Sequence, residues 1–224
     1  MAASSAISTT VLKSVPMFSG FSPDQLRALV TMIMRRSAPR GTAVLREGGP
    51  ADCLYVVMSG RLKVLMGEAD GKETILSIIG PGEFFGEMSL IDDNPRSATV
   101  IAIEACELLA LTRRDFRRCL VENSNLAMAV MRVLVRRLRE ADRKIGSLAM
   151  LDVYGRVARL LLDMSESVNG QRIVTRRISK QDIAKMIGAS REMVHKVMKD
   201  LQVNGYIEVQ GSTIVLLDKS ARPQ

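Results

Sequence analysis

The sequence of 224 residues contains no tryptophan, one histidine and three cysteines, and aromatic residues make up only 4% of it. Each shortage removes a class of function. The lone His195 leaves no histidine-based metal cluster, and Cys53, Cys106 and Cys119 form neither a CxxC pair nor an even disulfide framework. No paired carboxylates or nucleophile–base constellation accompany His195, so neither an enzyme nor a metal site is expected. No apolar run approaches the roughly 20 residues that cross a bilayer. The start MAASSAISTT lacks the basic stretch and apolar run of a secretion signal. Dispersed thiols fit a reducing compartment, so the expected location is the cytoplasm, with no membrane partner.

A 47% hydrophobic share beside 25% charged residues is that of a soluble globular protein long enough for two modest domains. The net charge of +8 is unevenly placed. Residues 1–112 carry 10 Lys and Arg against 12 Asp and Glu, residues 113–150 carry 10 against 4, and residues 151–224 carry 12 against 8. A basic excess confined to the second half suits a polyanionic partner, and it suits an ordinary solvated basic surface equally well.

Residues 1–35 read as short helices, with Ser22 capping and Pro23 at the first helical position before Leu26, Leu29, Val30 and Ile33. From Gly41 to about Thr112, runs such as LYVVM, LKVLM and ATVIAI alternate with glycine-rich turns, which suggests a compact antiparallel barrel or roll. Beyond it, Ala127, Met131, Leu134, Leu138, Ala141, Ile145 and Leu148 recur at alternating steps of four and three. That pattern fits a coiled-coil dimer seam, or a helix packed on its own roll. Residues 124–149 would make a rod of about 39 Å.

After Asp152 two helical segments, 153–164 and 179–188, flank a polar loop SESVNGQR. A third helix spans 191–203, and two β-like runs around Gln210-Gly211-Ser212 read as a hairpin. Ser179-Lys180-Gln181-Asp182 has the capping-box pattern, Gly188 suits a tight turn, and Ser190 caps the next helix. Val194, Val197, Met198 and Leu201 form its apolar stripe, while Arg191, Glu192, His195, Lys196 and Lys199 lie off it. A helix, a short turn and a second helix place the N-terminal residues of the second against base edges in the major groove. Arginine matches guanine acceptors and glutamate the cytosine amino group. Ser179, Lys180, Gln181, Ser190, Arg191, Glu192, His195 and Lys196 are therefore the expected DNA-facing residues, with the hairpin as a wing on the phosphates.

The most distinctive segment of the first half is GEFFGEMSL followed by DDNPRSAT. Gly86 lets backbone approach a ligand, the turn that follows offers amides to a phosphate, and Arg96 supplies a charge-assisted bond to it. Glu87 suits a ribose hydroxyl, and Ser97 shares the phosphate with Arg96.

Through FGEMSL…PRSA, ISKQDIAKMIGASREMVHKVMKDL and the intervening IGSLAMLDVYGRVARLL, the chain resembles the cyclic-AMP receptor and fumarate-nitrate regulator family. The likeness runs over nearly its whole length. It implies an α+β architecture: a cyclic-nucleotide-binding antiparallel β-roll over 1–121, a dimerisation helix over 122–150, and a winged helix-turn-helix over 151–224. By that resemblance Gly86, Glu87, Met88, Ser89, Arg96 and Ser97 bind the ribose and cyclic phosphate of a nucleotide. Arg191, Glu192 and Lys196 stand where the family reads a TGTGA-like half-site of a palindrome, with Lys196 in place of the usual Arg and His195 in place of a small residue. A homodimer along residues 127–148 is implied, and contact with RNA polymerase. The loop SESVNGQR is shorter than the family's polymerase-contacting loop, so its contact residues are not carried over.

One departure bears on the effector. Where the cyclic-AMP receptor has a Thr-Ser pair against adenine, this chain has Ala141 and Asp142. Asp142 could accept from adenine or guanine, and Arg139-x-x-Asp142 has a spacing seen in some cyclic di-GMP sites; a solvated Asp142 paired with Arg139 or Arg143 is the plain alternative. Cyclic AMP is the expected effector, with cyclic di-GMP, cyclic GMP or a ligand-independent regulator of the same family as alternatives. A four-cysteine iron–sulfur sensor or a haem sensor with a histidine in the first domain lacks its ligands. The implied mechanism turns the two DNA-binding domains about a hinge near residues 151–153, setting recognition helices about 34 Å apart.

Overall fold

The computed structural model describes residues 7–67, 73–175, 178–211 and 213–217, and the chain divides into two units, 1–138 and 139–224. The first opens with α1 (Thr9–Lys13), a 3-10 turn (Pro16–Phe18) and α2 (Pro23–Met32). Ser22 begins α2 as its sequence predicts. The Ser22 hydroxyl accepts from the Gln25 amide, and the Gln25 side chain accepts in return from the Ser22 amide at 2.9 Å. Leu26 and Leu29 point into the core.

Directly after α2 the chain enters β1 (Met34–Ala38), seven residues ahead of the expected start of the strand region at Gly41. Four of its five residues are exposed, so no alternation marks it. Full-length pairing with β8 (Cys106–Thr112), from Met34 opposite Ala110 to Ala38 opposite Cys106, makes it a strand. Six more strands follow: β2 (Ala43–Leu45), β3 (Cys53–Ser59), β4 (Leu62–Gly67), β5 (Glu73–Ile79), β6 (Phe84–Phe85) and β7 (Thr99–Ala102). With β1 and β8 they form two antiparallel sheets, ordered β1-β8-β3-β6 and β2-β7-β4-β5. This is the expected roll.

Period-2 alternation sorts the side chains of β3 and β8. Val57 and Leu108 meet Leu45, Leu62, Ile79 and Val100 from the other sheet. Leu54, Val56, Leu109 and Leu111 join the helical residues Leu12, Phe18, Leu29, Phe116 and Leu126 in a second cluster. Each such side chain contributes about 1.5–3 kcal/mol when fully buried.

A short α3 (Met88–Ile91) lies between β6 and β7, and α4 (Arg113–Glu122) and α5 (Ser124–Met150) follow β8. The buried Asn123 starts α5: its Oδ1 accepts from the Leu126 amide at 3.1 Å, while its Nδ2 donates to Gln25. Leu126, Val130, Val133 and Leu134 pack on the roll. Of the expected seam residues, Ala127 and Leu134 are half-buried, while Met131, Leu138, Ala141, Ile145 and Leu148 are exposed along the helix.

The second unit contains α6 (Val153–Met164), β9 (Glu166–Val168), β10 (Gln171–Val174), α7 (Lys180–Ile187), α8 (Arg191–Val203), β11 (Ile207–Gln210) and β12 (Thr213–Leu216). Asp152 caps α6 through the Gly155 amide at 2.8 Å. Val157, Leu161, Ile183, Ile187, Val194, Val197 and Leu201 form its core, closed by Val174 and Ile207 from the sheet β11-β12-β10-β9. The expected hairpin is β11–β12. The expected polar loop SESVNGQR is instead largely a second hairpin, β9–β10, turning at Asn169-Gly170 with φ of 51° and 80°. Positive φ at both turn residues is what a type I′ two-residue hairpin loop requires, and Asn-Gly is favoured there.

Candidate functional site

Strand β6 pairs with β3, Phe85 opposite Tyr55, and delivers Gly86 with φ +84°. A Cβ at Gly86 would lie 2.8 Å from Arg96 Nη1 and 3.2 Å from the Cys53 carbonyl oxygen. Only glycine leaves room for that guanidinium. Arg96 is itself buried, and all three of its nitrogens are engaged by protein. Nε donates to the Pro50 carbonyl at 3.2 Å, Nη1 to the Gly86 carbonyl at 2.7 Å, and Nη2 to the Cys53 carbonyl at 2.7 Å and the Asp52 carboxylate at 3.1 Å. The side chain read as a phosphate ligand thus also stitches the loop before β3 to the end of β6.

Glu87 is 1% exposed. Its Oε1 accepts from Arg137 Nη1 at 2.6 Å, and Arg137 also donates to the Phe84 carbonyl and lies 5.4 Å from the Phe84 ring centre. The other oxygen, Oε2, is buried without a hydrogen-bond partner. In the sequence Arg137 is one of the ten Lys and Arg residues of the basic stretch 113–150. Its place beside Leu138, at the margin of the apolar stripe, is the signal that an arginine there can turn inward.

The rest of the cassette divides between support and surface. Ser89 is buried, and its hydroxyl donates to the Pro95 carbonyl at 3.0 Å. Met88 and Ser97 are exposed beside each other, Ser97 Oγ 3.9 Å from Met88 Sδ. From α4, Arg113 donates to the Ala51 and Ser89 carbonyls and Arg117 to the Leu90 carbonyl, and both bond the Asp93 carboxylate. The hydrogen bond from Arg117, helped by the charges of both arginines, holds the Asp93 carboxyl below its ordinary range. Part of the basic excess of residues 113–150 therefore secures the cassette. Ala141 and Asp142 belong to the second unit and are exposed on α5.

In the second unit the Ser179 hydroxyl accepts from the Asp182 amide at 3.0 Å and donates to the Asp182 carboxylate at 2.6 Å. Gly188 ends α7 with φ 63° and ψ 51°, the left-handed conformation that a side chain disfavours. Ser190 starts α8 by accepting from the Met193 amide at 3.1 Å. Val194, Val197, Met198 and Leu201 are buried. Ser179, Lys180, Gln181, Ser190, Arg191, Glu192, His195 and Lys196 are all exposed. Lys180 Nζ lies 2.7 Å from His195 Nδ1, a contact across the two helices that the sequence did not signal.

Burial pushes the thiols of Cys53, Cys106 and Cys119 up, away from the thiolate form a nucleophile needs. Among the described residues no group of His, Cys, Asp and Glu could hold a metal ion, and no helix is long and apolar enough to cross a membrane.

Known proteins share this arrangement. Residues 35–123 match the cyclic nucleotide-binding domain family, and residues 155–221 match the Crp-like helix-turn-helix domain family. A CRP-like cAMP-activated global transcriptional regulator of Mycobacterium tuberculosis is 32% identical over 212 residues, covering 93% of this chain and 95% of the relative. The cyclic AMP receptor protein of Thermus thermophilus is 34% identical over 203 residues, covering 91% and 93%. Among solved structures, the regulator CLP of Xanthomonas campestris, described as c-di-GMP responsive, is 31% identical with a TM-score of 0.75, covering 88% of this chain and 100% of its own.

Proposed function

This chain belongs to the CRP-like family of transcription regulators, which join a cyclic nucleotide-binding domain to a helix-turn-helix, and from that premise we propose that it is a cyclic-AMP-responsive homodimer acting on palindromic DNA. The observation that carries the nucleotide reading is Glu87 Oε2, buried and lacking a donor beside Gly86. A buried carboxylate oxygen left unbonded costs about 1–3 kcal/mol or more. A ribose hydroxyl supplies the missing donor, with Arg137 holding the other oxygen in place. The cyclic phosphate exchanges with Asp52, the one side chain among the acceptors on Arg96 and 69% exposed. Gly86, Met88, Ser89 and Ser97 complete that binding surface.

Two copies meet along α5, where Met131, Leu138, Ala141, Ile145 and Leu148 offer an exposed apolar stripe, continued by Ala127 and Leu134. Each copy reads one TGTGA-like half-site, with Arg191 on guanine, Glu192 on a cytosine amino group, and Ser179, Lys180, Gln181 and Ser190 on the flanking phosphates. Nucleotide and DNA affinities are coupled by about 1–3 kcal/mol, in the cytoplasm, with RNA polymerase as the further partner.

A second reading has a specific observation behind it. Ala141 offers no hydrogen bond to adenine, and Asp142 stands exposed on α5 three residues after Arg139, so cyclic di-GMP is the alternative effector and cyclic GMP the third. Calorimetry with the three nucleotides on wild type, Glu87→Gln and Asp142→Ala separates them. Cyclic AMP binding that is weakened by Glu87→Gln and indifferent to Asp142→Ala supports the first reading. Cyclic di-GMP binding lost in Asp142→Ala replaces it with the second. A band shift on a TGTGA-type palindrome tests the DNA half: wild-type affinity in Arg191→Ala at matched salt sinks the recognition-helix assignment.

A further inference from the structure

The only histidine in the chain sits one helical turn after Arg191, on the same exposed face of α8. Its Nδ1 lies 2.7 Å from Lys180 Nζ, which comes from the first turn of α7. An ammonium has N–H donors and no acceptor, so the ring nitrogen facing it must accept. The contact therefore favours the tautomer that leaves Nδ1 unprotonated and carries the proton of the neutral ring on Nε2. An unrestrained surface histidine presents either an acceptor or a donor at that outer nitrogen. In the tautomer that this contact favours, the outer nitrogen is a donor.

On the reading that α8 enters the major groove, we propose that His195 is a further specificity residue and that Lys180 is its positioning residue. The Nε2–H of His195 donates to a base-edge acceptor, guanine O6 or N7 or thymine O4, on the base pair next to the one read by Arg191. Adenine offers N7 there, and cytosine presents an amino donor that repels the same N–H, so cytosine at that position is rejected. Lys180 keeps its remaining N–H donors for a backbone phosphate while its first holds the ring. A phosphate contact, which by itself carries no sequence information, thereby sets the hydrogen-bond polarity of a base contact.

The lone histidine makes the test clean, because every imidazole signal in the spectrum is His195. Ring nitrogen NMR on the free full-length protein is expected to show Nδ1 unprotonated and Nε2 protonated in wild type, and a mixed-tautomer ring in Lys180→Met. Selection from a randomised half-site is expected to show wild type disfavouring cytosine at that position by about 5- to 150-fold. The preference should vanish in His195→Ala and shrink in Lys180→Met, while the bases read by Arg191 and Glu192 stay selected in both. Lys180→Arg should restore the tautomer and most of the preference, which loss of a phosphate contact alone would not predict.

An Nδ1-protonated ring in wild type overturns the proposal, and so does an unchanged cytosine preference in both variants while Arg191→Ala loses its own base. If wild type selects no sequence at all, the DNA-reading assignment falls and this inference falls with it.

Discussion

Replacing Arg96 with alanine distinguishes a residue that only holds ligand from one that also holds the fold. The guanidinium satisfies three backbone carbonyls, those of Pro50, Gly86 and Cys53, from a position only 3% exposed. Each acceptor stranded out of water costs about 1–3 kcal/mol. Water entering past Asp52 recovers part of this, so the low end of the range applies, about 3 kcal/mol in total for the three. Because the chain has two units, a single melting temperature is a poor gauge, and local amide exchange is the better one. In nucleotide-free protein, amides of β3 and β8 should exchange roughly 100-fold faster in Arg96→Ala, at tenfold per 1.4 kcal/mol, while those of α7 and α8 keep their wild-type rates. Arg96→Lys should recover less than half of that, since one ammonium cannot span three carbonyl directions. Exchange of β3 and β8 within about twofold of wild type in Arg96→Ala would falsify the stitching role.

Three further outcomes follow from the same geometry. Arg137→Met strands the buried Glu87 carboxylate and should destabilise the first unit by about 3 kcal/mol; adding Glu87→Gln should recover more than half, as a double-mutant cycle in urea will show. Gly188→Ala meets no close side chain, Leu148 Cδ2 being 3.8 Å away, so its cost should be the backbone's alone, about 1–2 kcal/mol on unfolding of the second unit. The Asp93 carboxyl is depressed below its ordinary value of 3.8 by Arg117 and Arg113, so its stabilisation is complete above that pH and is lost as pH falls through the lowered value. Amide protection in the first unit should therefore fall faster in wild type than in Asp93→Asn between about pH 5 and 2, and parallel curves would remove Asp93 as the cause.

The elements legible in the sequence were those whose pattern is set by burial. The apolar stripe of α8, the caps at Ser22, Ser179 and Ser190, and the left-handed Gly188 were each readable, because local chemistry and tertiary role agree there. Strand β1 was not, since its Met34-Arg-Arg-Ser faces solvent and gains its structure from β8 alone. Hairpin β9–β10 hid for the same reason: Glu166, Ser167 and Val168 are all exposed. There the Asn169-Gly170 dipeptide was a signal that composition masked. For the site, the cassette was legible as a list of residues but not as a division of labour. Arg113, Arg117 and Arg137 looked like surface charge because their acceptors are backbone carbonyls and a carboxylate distant in sequence. The contact between Lys180 and His195 depends on how two helices cross, which no spacing within either one encodes.

The carbonyl contacts of Arg96 bear on how such a regulator changes over evolutionary time. A descendant that traded its effector, or stopped answering to any, would still be selected to keep Gly86 and Arg96, because each is packed and hydrogen-bonded against the other. Drift should be recorded first at Met88 and Ser97, whose side chains sit on the surface. The pairing of Gly86 with Arg96 is thus a durable record of ancestry, and the exposed pair beside it is the faster clock.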